Sequence, residues 1–175
     1  MRMRRQDFEA AVATHGRKVY TLAVYLLANR EEAEDVAQEV LIRLWRRGQE
    51  VLPEKIGPWL VRVTRNACID AIRRRKGGSQ VAIDADARGG FLEPAPGPER
   101  QAHASQLGGR ILRALEVLSE PGRSVVILRE IQGLSYQEIS DALEIPMTSV
   151  RVTLHRGRRR LREELKEVHD HVAAC

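Results

Sequence analysis

A short helical pattern, a tight break and a second, arginine-rich helical pattern follow one another between Gly133 and Arg162. Ser135, followed three residues later by Glu138, predicts a capping box at the start of the first helix. Pro146 suits the first turn of the second helix, because the N–H that proline lacks would have no partner there. This order of elements predicts a helix-turn-helix, and six arginines in its second helix favour DNA as the partner.

A helical hairpin with a solvated basic face is the alternative, since runs of charge usually lie on solvated surfaces. The spacing of the turn and the enrichment in arginine both favour the DNA-binding interpretation. The predicted buried positions are Tyr136, Ile139 and Leu143 in the first helix and Val150, Leu154 and Leu161 in the second.

Charge is distributed unevenly along the 175 residues, although the net charge is only +5. Five carboxylates lie between Glu31 and Glu39, whereas Arg73–Lys76 and Arg156–Arg162 are basic, so these segments are expected to meet different partners. Two cysteines do not make a disulfide framework, which favours a reducing cytoplasm. The sequence has no recognisable secretory signal or membrane-spanning run, and we expect no membrane insertion.

Apolar residues at helical spacing predict three helices in the first half of the chain. The first ends near Asn29, and the second carries acidic residues in its first turns, where the helix dipole favours negative charge. The third is expected from about Pro58 to Lys76. The predicted inner positions are Phe8, Val12, His15, Val19, Leu22 and Leu26 in the first helix, Ala33, Ala37, Val40 and Leu44 in the second, and Ile56, Leu60, Val63, Ala67 and Ala71 in the third.

The opposite side of the third helix combines arginines, an amide and an indole. Arginines can hold phosphates, an amide can read a base edge, and an indole can stack on an unpaired base. This face carries Trp59, Arg62, Arg65, Asn66 and Arg73. Alternatively, Trp59 is a half-buried core residue and the arginines are solvated or pair with Asp70.

Glycine and proline are frequent from Gly77 to Pro98, where no apolar period is sustained, so this segment is predicted to be a flexible linker between two domains. After it, Leu107, Ile111, Leu115 and Leu118 form one stripe. Ser119 is predicted to cap the following helix and Gly133 to end it. The expected fold is all-α, with two small helical domains at 1–76 and 99–168, a linker at 77–98 and a tail at 169–175.

The chain contains three blocks in an order that resembles the extracytoplasmic-function (ECF) sigma factors of bacterial RNA polymerase. They are EEAEDVAQEVLIRLW, WLVRVTRNACIDAIRRRKG, and ILREIQGLSYQEISDALEIP followed by the basic helix. The resemblance implies a two-domain polymerase subunit in the bacterial cytoplasm that directs core RNA polymerase to specific promoters and helps to open the DNA. Its implied partners are the β′ clamp helices and the β subunit of the core enzyme, promoter DNA and an anti-sigma factor.

The resemblance also implies a role for residues on three helices. The acidic second helix would bind core polymerase through Glu34, Asp35, Gln38, Glu39 and Arg43. The third helix would melt and read the minus-ten promoter element through Trp59, Arg62, Arg65, Asn66, Arg73 and Arg74. The second helix of the helix-turn-helix would read the minus-thirty-five element through Thr148, Ser149, Arg151, Thr153, His155, Arg156 and Arg158.

The helix-turn-helix departs from the family pattern at three places. The common turn has glycine where Glu144 stands, and the common recognition helix has Gly-Thr and Ser-Arg where Thr148-Ser149 and Val152-Thr153 stand. Glu144 would strain the turn if that position requires a left-handed backbone. We expect the promoter preference of this protein to reside at Glu144, Thr148 and Thr153.

Two other classes of function remain as alternatives. A helix-turn-helix regulator that is not a polymerase subunit would need a sensor or receiver domain before the linker, and the first half shows no alternation of strands and helices. An enzyme is less favoured, because no phosphate-binding glycine loop, nucleophile elbow or convincing metal-ligand pair is present; we expect no catalytic residue, cofactor or metal. His169, His171 and Cys175 could bind a metal, but a frayed tail explains them more simply.

Overall fold

The computed structural model describes residues 3–77 and 108–173, so the predicted linker falls almost wholly outside the described residues. Within these ranges every regular element is helical, as predicted for an all-α chain. The α-helices are α1 (Arg5–Leu27), α2 (Arg30–Arg47), α3 (Ile56–Gly77), α4 (108–116), α5 (Gly122–Val126), α6 (Tyr136–Leu143) and α7 (Met147–Ala173). Two 3₁₀ turns, Gly48–Glu50 and Pro53–Lys55, join α2 to α3, and α5 continues as a π-helical turn over Ile127–Ile131.

Helices α1, α2 and α3 pack against one another around a shared apolar core. Most predicted inner positions are buried, but Phe8, Val12, His15, Ala37 and Val63 are only half-buried. Val36 was not named among the predicted positions, but it lies on the same stripe of α2 and is buried. Two local features fix the turn between α1 and α2. Ala28 ends α1 in the left-handed region at φ 51°, and the Asn29 side chain caps α2 by accepting the Glu32 N–H at 3.0 Å.

One arginine of the basic run at the end of α3 holds this three-helix unit together. The Arg75 guanidinium lies 3.1 Å from the Glu32 carboxylate and donates to the carbonyl oxygen of Leu27 at 3.1 Å. Both charged side chains are mostly buried, with 28% and 32% of their surface exposed. Arg75 therefore stabilises the junction of the three helices, while its neighbours Arg73 and Arg74 remain exposed.

In the C-terminal half, α7 packs closely on α5 because a glycine lies at their crossing. A Cβ atom added to Gly157 would come within 2.7 Å of Val126 Cγ2. Val150 and Leu154 are buried on the same side of α7, at 0% and 1% exposure, as the apolar stripe predicted. Leu161, the third predicted position, is half-buried.

One helix was predicted where α5 and its π-helical turn lie, and its predicted boundary is right at the end of that turn and wrong at the start of α5. Ser119 does not cap the helix: the N-cap is Pro121, without a side-chain hydrogen bond. The carbonyl oxygen of Ser119 instead accepts the N–H of Arg123 at 3.0 Å. Gly133 has φ +71°, and the next residue, Leu134, donates its N–H to the carbonyl oxygen of Leu128 at 3.0 Å, which confirms the glycine C-terminal cap.

The two halves of the chain contact each other through α3 and α6. Their buried side chains form one continuous apolar cluster. Polar contacts surround it: Gln132 donates to the carbonyl oxygen of Lys18 at 2.8 Å, and Lys55 lies 3.7 Å from Asp141. A cleft at this junction contains His15, whose pKa is lowered by burial and, to a lesser extent, by the charge of Lys18.

None of the helices in the described ranges combines the length and apolar character needed to cross a membrane.

Candidate nucleic-acid and protein-binding surfaces

The start of α6 is fixed by a capping box, as predicted. Ser135 Oγ accepts the N–H of Glu138 at 3.2 Å, and the Glu138 carboxylate accepts the N–H of Ser135 at 2.7 Å. These bonds to Ser135, its backbone N–H first, lower the pKa of Glu138. The box therefore favours the ionised carboxylate and holds the first turn of the helix-turn-helix in place.

The turn between α6 and α7 places a non-glycine residue in the left-handed region. Glu144 has φ 55° and ψ 41°, and its N–H bonds to the carbonyl oxygen of Ser140. This confirms that the position needs a backbone conformation that glycine adopts more easily. The Glu144 side chain also forms an ion pair with Arg62 of α3, so the turn contacts the N-terminal half.

The outward face of α7 carries most of the residues predicted to read the upstream promoter element. Five of them are exposed: Thr148, Ser149, Arg151, His155 and Arg156. Thr153 is half-buried. The structure thus brings these five together on one exposed surface at the N-terminal part of the helix, where helix-turn-helix proteins contact base edges.

Arg158 is a predicted DNA-binding residue of α7 that forms an ion pair within the chain. Its Nε and Nη2 atoms donate to one carboxylate oxygen of Glu130 at 2.9 and 2.6 Å. The hydrogen bond with Glu130 is the main reason that the pKa of Arg158 is raised. Arg158 ties α7 to the π-helical turn after α5, which is a structural role beside any contact with phosphate.

An aromatic ring on α6 supports arginines from two other elements. The guanidinium of Arg129 lies 5.0 Å from the centroid of the Tyr136 ring, and that of Arg151 lies 6.0 Å from the same centroid. Both distances are within the range of cation–π attraction. Tyr136 therefore helps to position Arg151 at the edge of the outward face of α7.

Val152 lies on the outward face of α7 and was missed as a site residue by sequence reasoning. Its side chain is 48% exposed, between the predicted DNA-binding residues Thr148 and Arg156. Helical periodicity could have identified it, because on a helix of 3.6 residues per turn Val152 lies opposite the buried Val150 and Leu154. The sequence had marked it only as a departure from the family pattern.

The predicted minus-ten surface of α3 divides into two parts. Asn66, Arg73 and Arg74 are exposed to solvent, with Arg73 lying 3.7 Å from Asp70 as in the alternative interpretation. Trp59 is half-buried, which is compatible with either of the roles considered for it.

The other two arginines of this surface contact the C-terminal half. Arg65 donates to one carboxylate oxygen of Glu120 at 3.0 and 3.2 Å and to Ser124 Oγ at 3.2 Å, and only 21% of its side chain is exposed. Arg62 forms the ion pair with Glu144. Neither guanidinium is free to bind phosphate while the two halves are in contact in this way.

Helix α2 presents a continuous exposed strip of charged and amide side chains. All five residues predicted to bind core polymerase belong to it: Glu34, Asp35, Gln38, Glu39 and Arg43. Arg43 forms an ion pair with Glu39 on the same face. Ile42, which sequence reasoning did not select, is 50% exposed within this strip and adds an apolar contact point to it.

Among the described residues, no cluster of His, Cys, Asp and Glu side chains is arranged to hold a metal ion. The side chains of His169 and His171, and all of Cys175, lie outside the described part of the chain. Burial raises the pKa of the Cys68 thiol to about 12, so this cysteine is a core residue in its neutral form.

Both halves of the chain match family models of sigma factors. Residues 11–77 match Sigma-70 region 2, and residues 108–161 match Sigma-70 region 4. The first match spans nearly all of α1 to α3, and the second spans α4 to most of α7.

Relatives from two bacteria match both halves together. The ECF RNA polymerase sigma factor SigE of Mycolicibacterium smegmatis is 38% identical over 161 residues, which are 91% of this chain and 62% of SigE. The chain thus spans less than two thirds of that relative's length. The ECF RNA polymerase sigma factor SigW of Bacillus subtilis is 32% identical over 160 residues, which are 86% of this chain and 84% of SigW.

Solved structures share the fold across both halves. CnrH, solved in complex with the cytosolic domain of CnrY, superposes with a TM-score of 0.71 over 94% of this chain and 90% of its own, at 21% identity. The sigma factor RpoE of Bartonella quintana, solved with the anti-sigma factor NepR, gives a TM-score of 0.68 over 92% and 98% of the two chains, at 22% identity. With regions 2 and 4 both matched in order and SigW 32% identical over most of its length, this chain belongs to the ECF RNA polymerase sigma factors.

Proposed function

We propose that this chain binds core RNA polymerase, directs it to specific promoters and helps to open the DNA for initiation. The observation that carries the proposal is the separation of three exposed charged surfaces: an acidic one on α2, a basic one on α3 and a basic one on α7. A protein that must bind a polymerase and two promoter elements at once needs three such surfaces. Membership of the ECF family favours this function over that of a regulator acting outside the polymerase.

The α2 strip is the proposed docking site for core polymerase. Carboxylates one turn apart, with an amide between them and an apolar side chain in the next turn, suit a basic helical partner such as the β′ clamp helices. The second proposed contact of the chain with the core enzyme is the β subunit. The proposal depends on Glu34, Asp35, Gln38, Glu39 and Arg43 acting as one exposed surface.

The α3 surface is proposed to bind the minus-ten element as it opens. Exposed Asn66, Arg73 and Arg74 are available to a strand directly, whereas Arg62 and Arg65 first have to exchange their carboxylate partners for phosphates. The Arg62–Glu144 pair lies between partly exposed side chains and is worth only about 0–1 kcal/mol, so DNA and polymerase can compete with it. The contact between the halves is therefore proposed to be exchangeable.

This exchange fits the proposed division of the chain into a polymerase-binding and minus-ten-reading domain at 1–76, a linker at 77–98, a minus-thirty-five-reading domain at 99–168 and a tail at 169–175. The α7 face, with its polar residues and arginines, is suited to the major groove of duplex DNA. Each half would then bind its own promoter element while the linker sets the reach between them.

Regulation and location follow from the same proposal. The solved relatives CnrH and RpoE were captured with the cytosolic domain of CnrY and with the anti-sigma factor NepR. An anti-sigma factor is accordingly proposed as a partner here, acting in the cytoplasm. The chain is proposed to have no catalytic step of its own, because RNA synthesis belongs to the polymerase.

Charge reversal on α2 tests the polymerase contact. We expect Asp35→Lys to weaken binding of the labelled chain to core polymerase by about tenfold or more, since it places a like charge against a basic partner. Fluorescence anisotropy with purified core enzyme measures this. The matched control is Glu116→Lys, which makes the same change at an exposed carboxylate of α4. Equal affinities for the two variants would contradict the proposed docking surface.

A further inference from the structure

Val152 is an exposed apolar side chain at the centre of the proposed DNA-reading face. It lies in the second turn of α7, which begins at Met147, and is 48% exposed. Residues three and four positions away on a helix are its surface neighbours, which here are Thr148, Ser149, His155 and Arg156. All four are exposed.

The fold itself gives no reason for an apolar residue at this position. Val150 and Leu154 on the opposite side of α7 are buried at 0% and 1% exposure and supply the packing against the domain core. Among the described residues, Val152 is not one of the apolar side chains that pack against that core. Single exposed apolar residues are common, so exposure alone does not indicate a function for Val152. Its position among candidate DNA contacts does indicate one.

The chemistry of the major groove restricts what valine can recognise. Every base pair presents hydrogen-bond donors or acceptors there, and thymine alone adds a methyl group. Valine has no donor or acceptor, so it gains from contact with that methyl group and leaves polar base edges unsatisfied. Its β-branched side chain is also short and stiff, which restricts it to a base directly beneath the helix.

We propose that Val152 reads the 5-methyl group of a thymine in the minus-thirty-five element. This inference rests on the proposed function, because it requires α7 to lie in the major groove of the upstream element. Thr148, Ser149 and Arg156 would position the helix through phosphates and neighbouring bases, and Val152 would select thymine over cytosine at one position.

Replacement of single thymines by deoxyuridine tests the inference, because it removes the methyl group and keeps the base pair. The probes are duplex promoter fragments selected from random DNA by the holoenzyme, each carrying deoxyuridine at one position of the upstream element. At one position we expect affinity for wild-type holoenzyme to fall about fourfold, the effect of one methyl group returned to water. In the Val152→Ala holoenzyme, the ratio between thymine and deoxyuridine at that position should fall towards one, because alanine lacks the two γ-methyl groups through which valine extends to the thymine methyl group.

Leu165→Ala is the matched control, since it truncates another exposed apolar residue of α7, one that is 45% exposed and beyond the proposed reading face. It should leave the thymine-to-deoxyuridine ratio unchanged. If Val152→Ala keeps the wild-type ratio while transcription still depends on the upstream element, this inference is wrong and the proposed function stands. If wild-type holoenzyme shows no dependence on any upstream element, both are wrong.

Discussion

Glu144 has a backbone conformation that is unfavourable for residues other than glycine. Substitutions at this position separate two opposing effects on stability, the backbone strain and the ion pair with Arg62. Its φ of 55° places it in the left-handed region, which costs a residue with a Cβ atom about 1–2 kcal/mol relative to glycine. Its carboxylate pairs with Arg62, and 65% of the Glu144 side chain is exposed, so the pair contributes about 0–1 kcal/mol. Glu144→Gly removes both effects, whereas Glu144→Ala removes only the ion pair.

The comparison between these two variants isolates the backbone term. Glycine relieves the left-handed strain, which stabilises the folded state. It also raises the conformational entropy of the unfolded chain, which costs the folded state about 0.4–1 kcal/mol and offsets part of that stabilisation. The Gly variant should therefore be more stable than the Ala variant by about 0.5–1 kcal/mol, the difference between these terms. Relative to wild type, Glu144→Ala is expected to be slightly destabilised and Glu144→Gly nearly neutral.

Urea unfolding followed by circular dichroism measures both variants, and thermal unfolding gives a second reading. For a chain of this size, 1 kcal/mol corresponds to a shift in Tm of about 2–4 °C. Adding Arg62→Ala to Glu144→Ala should cost little more through this pair, which checks the ion-pair term. An Ala variant as stable as the Gly variant would refute the left-handed conformation of residue 144.

Three further substitutions test other parts of the account. Ser135→Ala should lower the free energy of unfolding by about 1 kcal/mol through loss of the cap, as measured in urea. The pKa of Glu138 is lowered in the folded state. The capping box therefore stabilises the fold above the unfolded pKa of Glu138, and this stability is lost as the pH falls through the folded pKa. Ser135→Ala should reduce this acid sensitivity. Gly157→Ala should destabilise the C-terminal half by about 1–3 kcal/mol by overpacking against α5, again measured by urea unfolding. Glu120→Gln should release Arg65 and strengthen binding of the free chain to single-stranded minus-ten DNA, with no gain in holoenzyme.

Each of these expectations has a clear contrary result. A Ser135→Ala variant with the wild-type free energy of unfolding would show that the Ser135 cap does not stabilise α6. A Gly157→Ala variant of wild-type stability would mean that α5 and α7 are not in close contact. If Glu120→Gln changes DNA binding equally in the free chain and in holoenzyme, then Arg65 is not released when polymerase binds.

Features set by nearby residues could be predicted from the sequence. The capping box at Ser135, the glycine cap at Gly133 and the left-handed turn at Glu144 each depend on backbone groups within a few residues. Their geometry is decided locally, so the residue types are sufficient. The exposed strip on α2 and the outward face of α7 were predictable for a related reason, because each lies on one helix with a fixed period.

The start of α5 shows where a local signal was overridden. Ser119 is a favourable cap residue, but the conformation of this segment is set by hydrogen bonds from Arg123 to the end of α4. Arg123 extends back and donates to the carbonyl oxygens of Leu115, Glu116 and Leu118 at 3.0 to 3.2 Å. This side chain satisfies carbonyls at the end of α4 and places the chain so that α5 begins only after Pro121.

The partners of the α3 arginines could not be predicted from the sequence. Arg65 meets Glu120, which is 55 residues away, and Arg62 meets Glu144, which is 82 residues away. Helical periodicity identifies the face on which each arginine lies, but only the packing of one half on the other determines what that face touches. The sequence therefore predicted the basic surface of α3 but not its contact with the C-terminal half.

Run-off transcription tests the central claim most directly. Core RNA polymerase, with and without this chain, is supplied with a library of promoter fragments, and the 5′ ends of the transcripts are mapped. The account predicts that the chain directs initiation at defined sites whose upstream DNA shares two elements, one near minus ten and one near minus thirty-five. Transcripts identical to those of core polymerase alone, in the presence of a chain that binds the core enzyme, would contradict it.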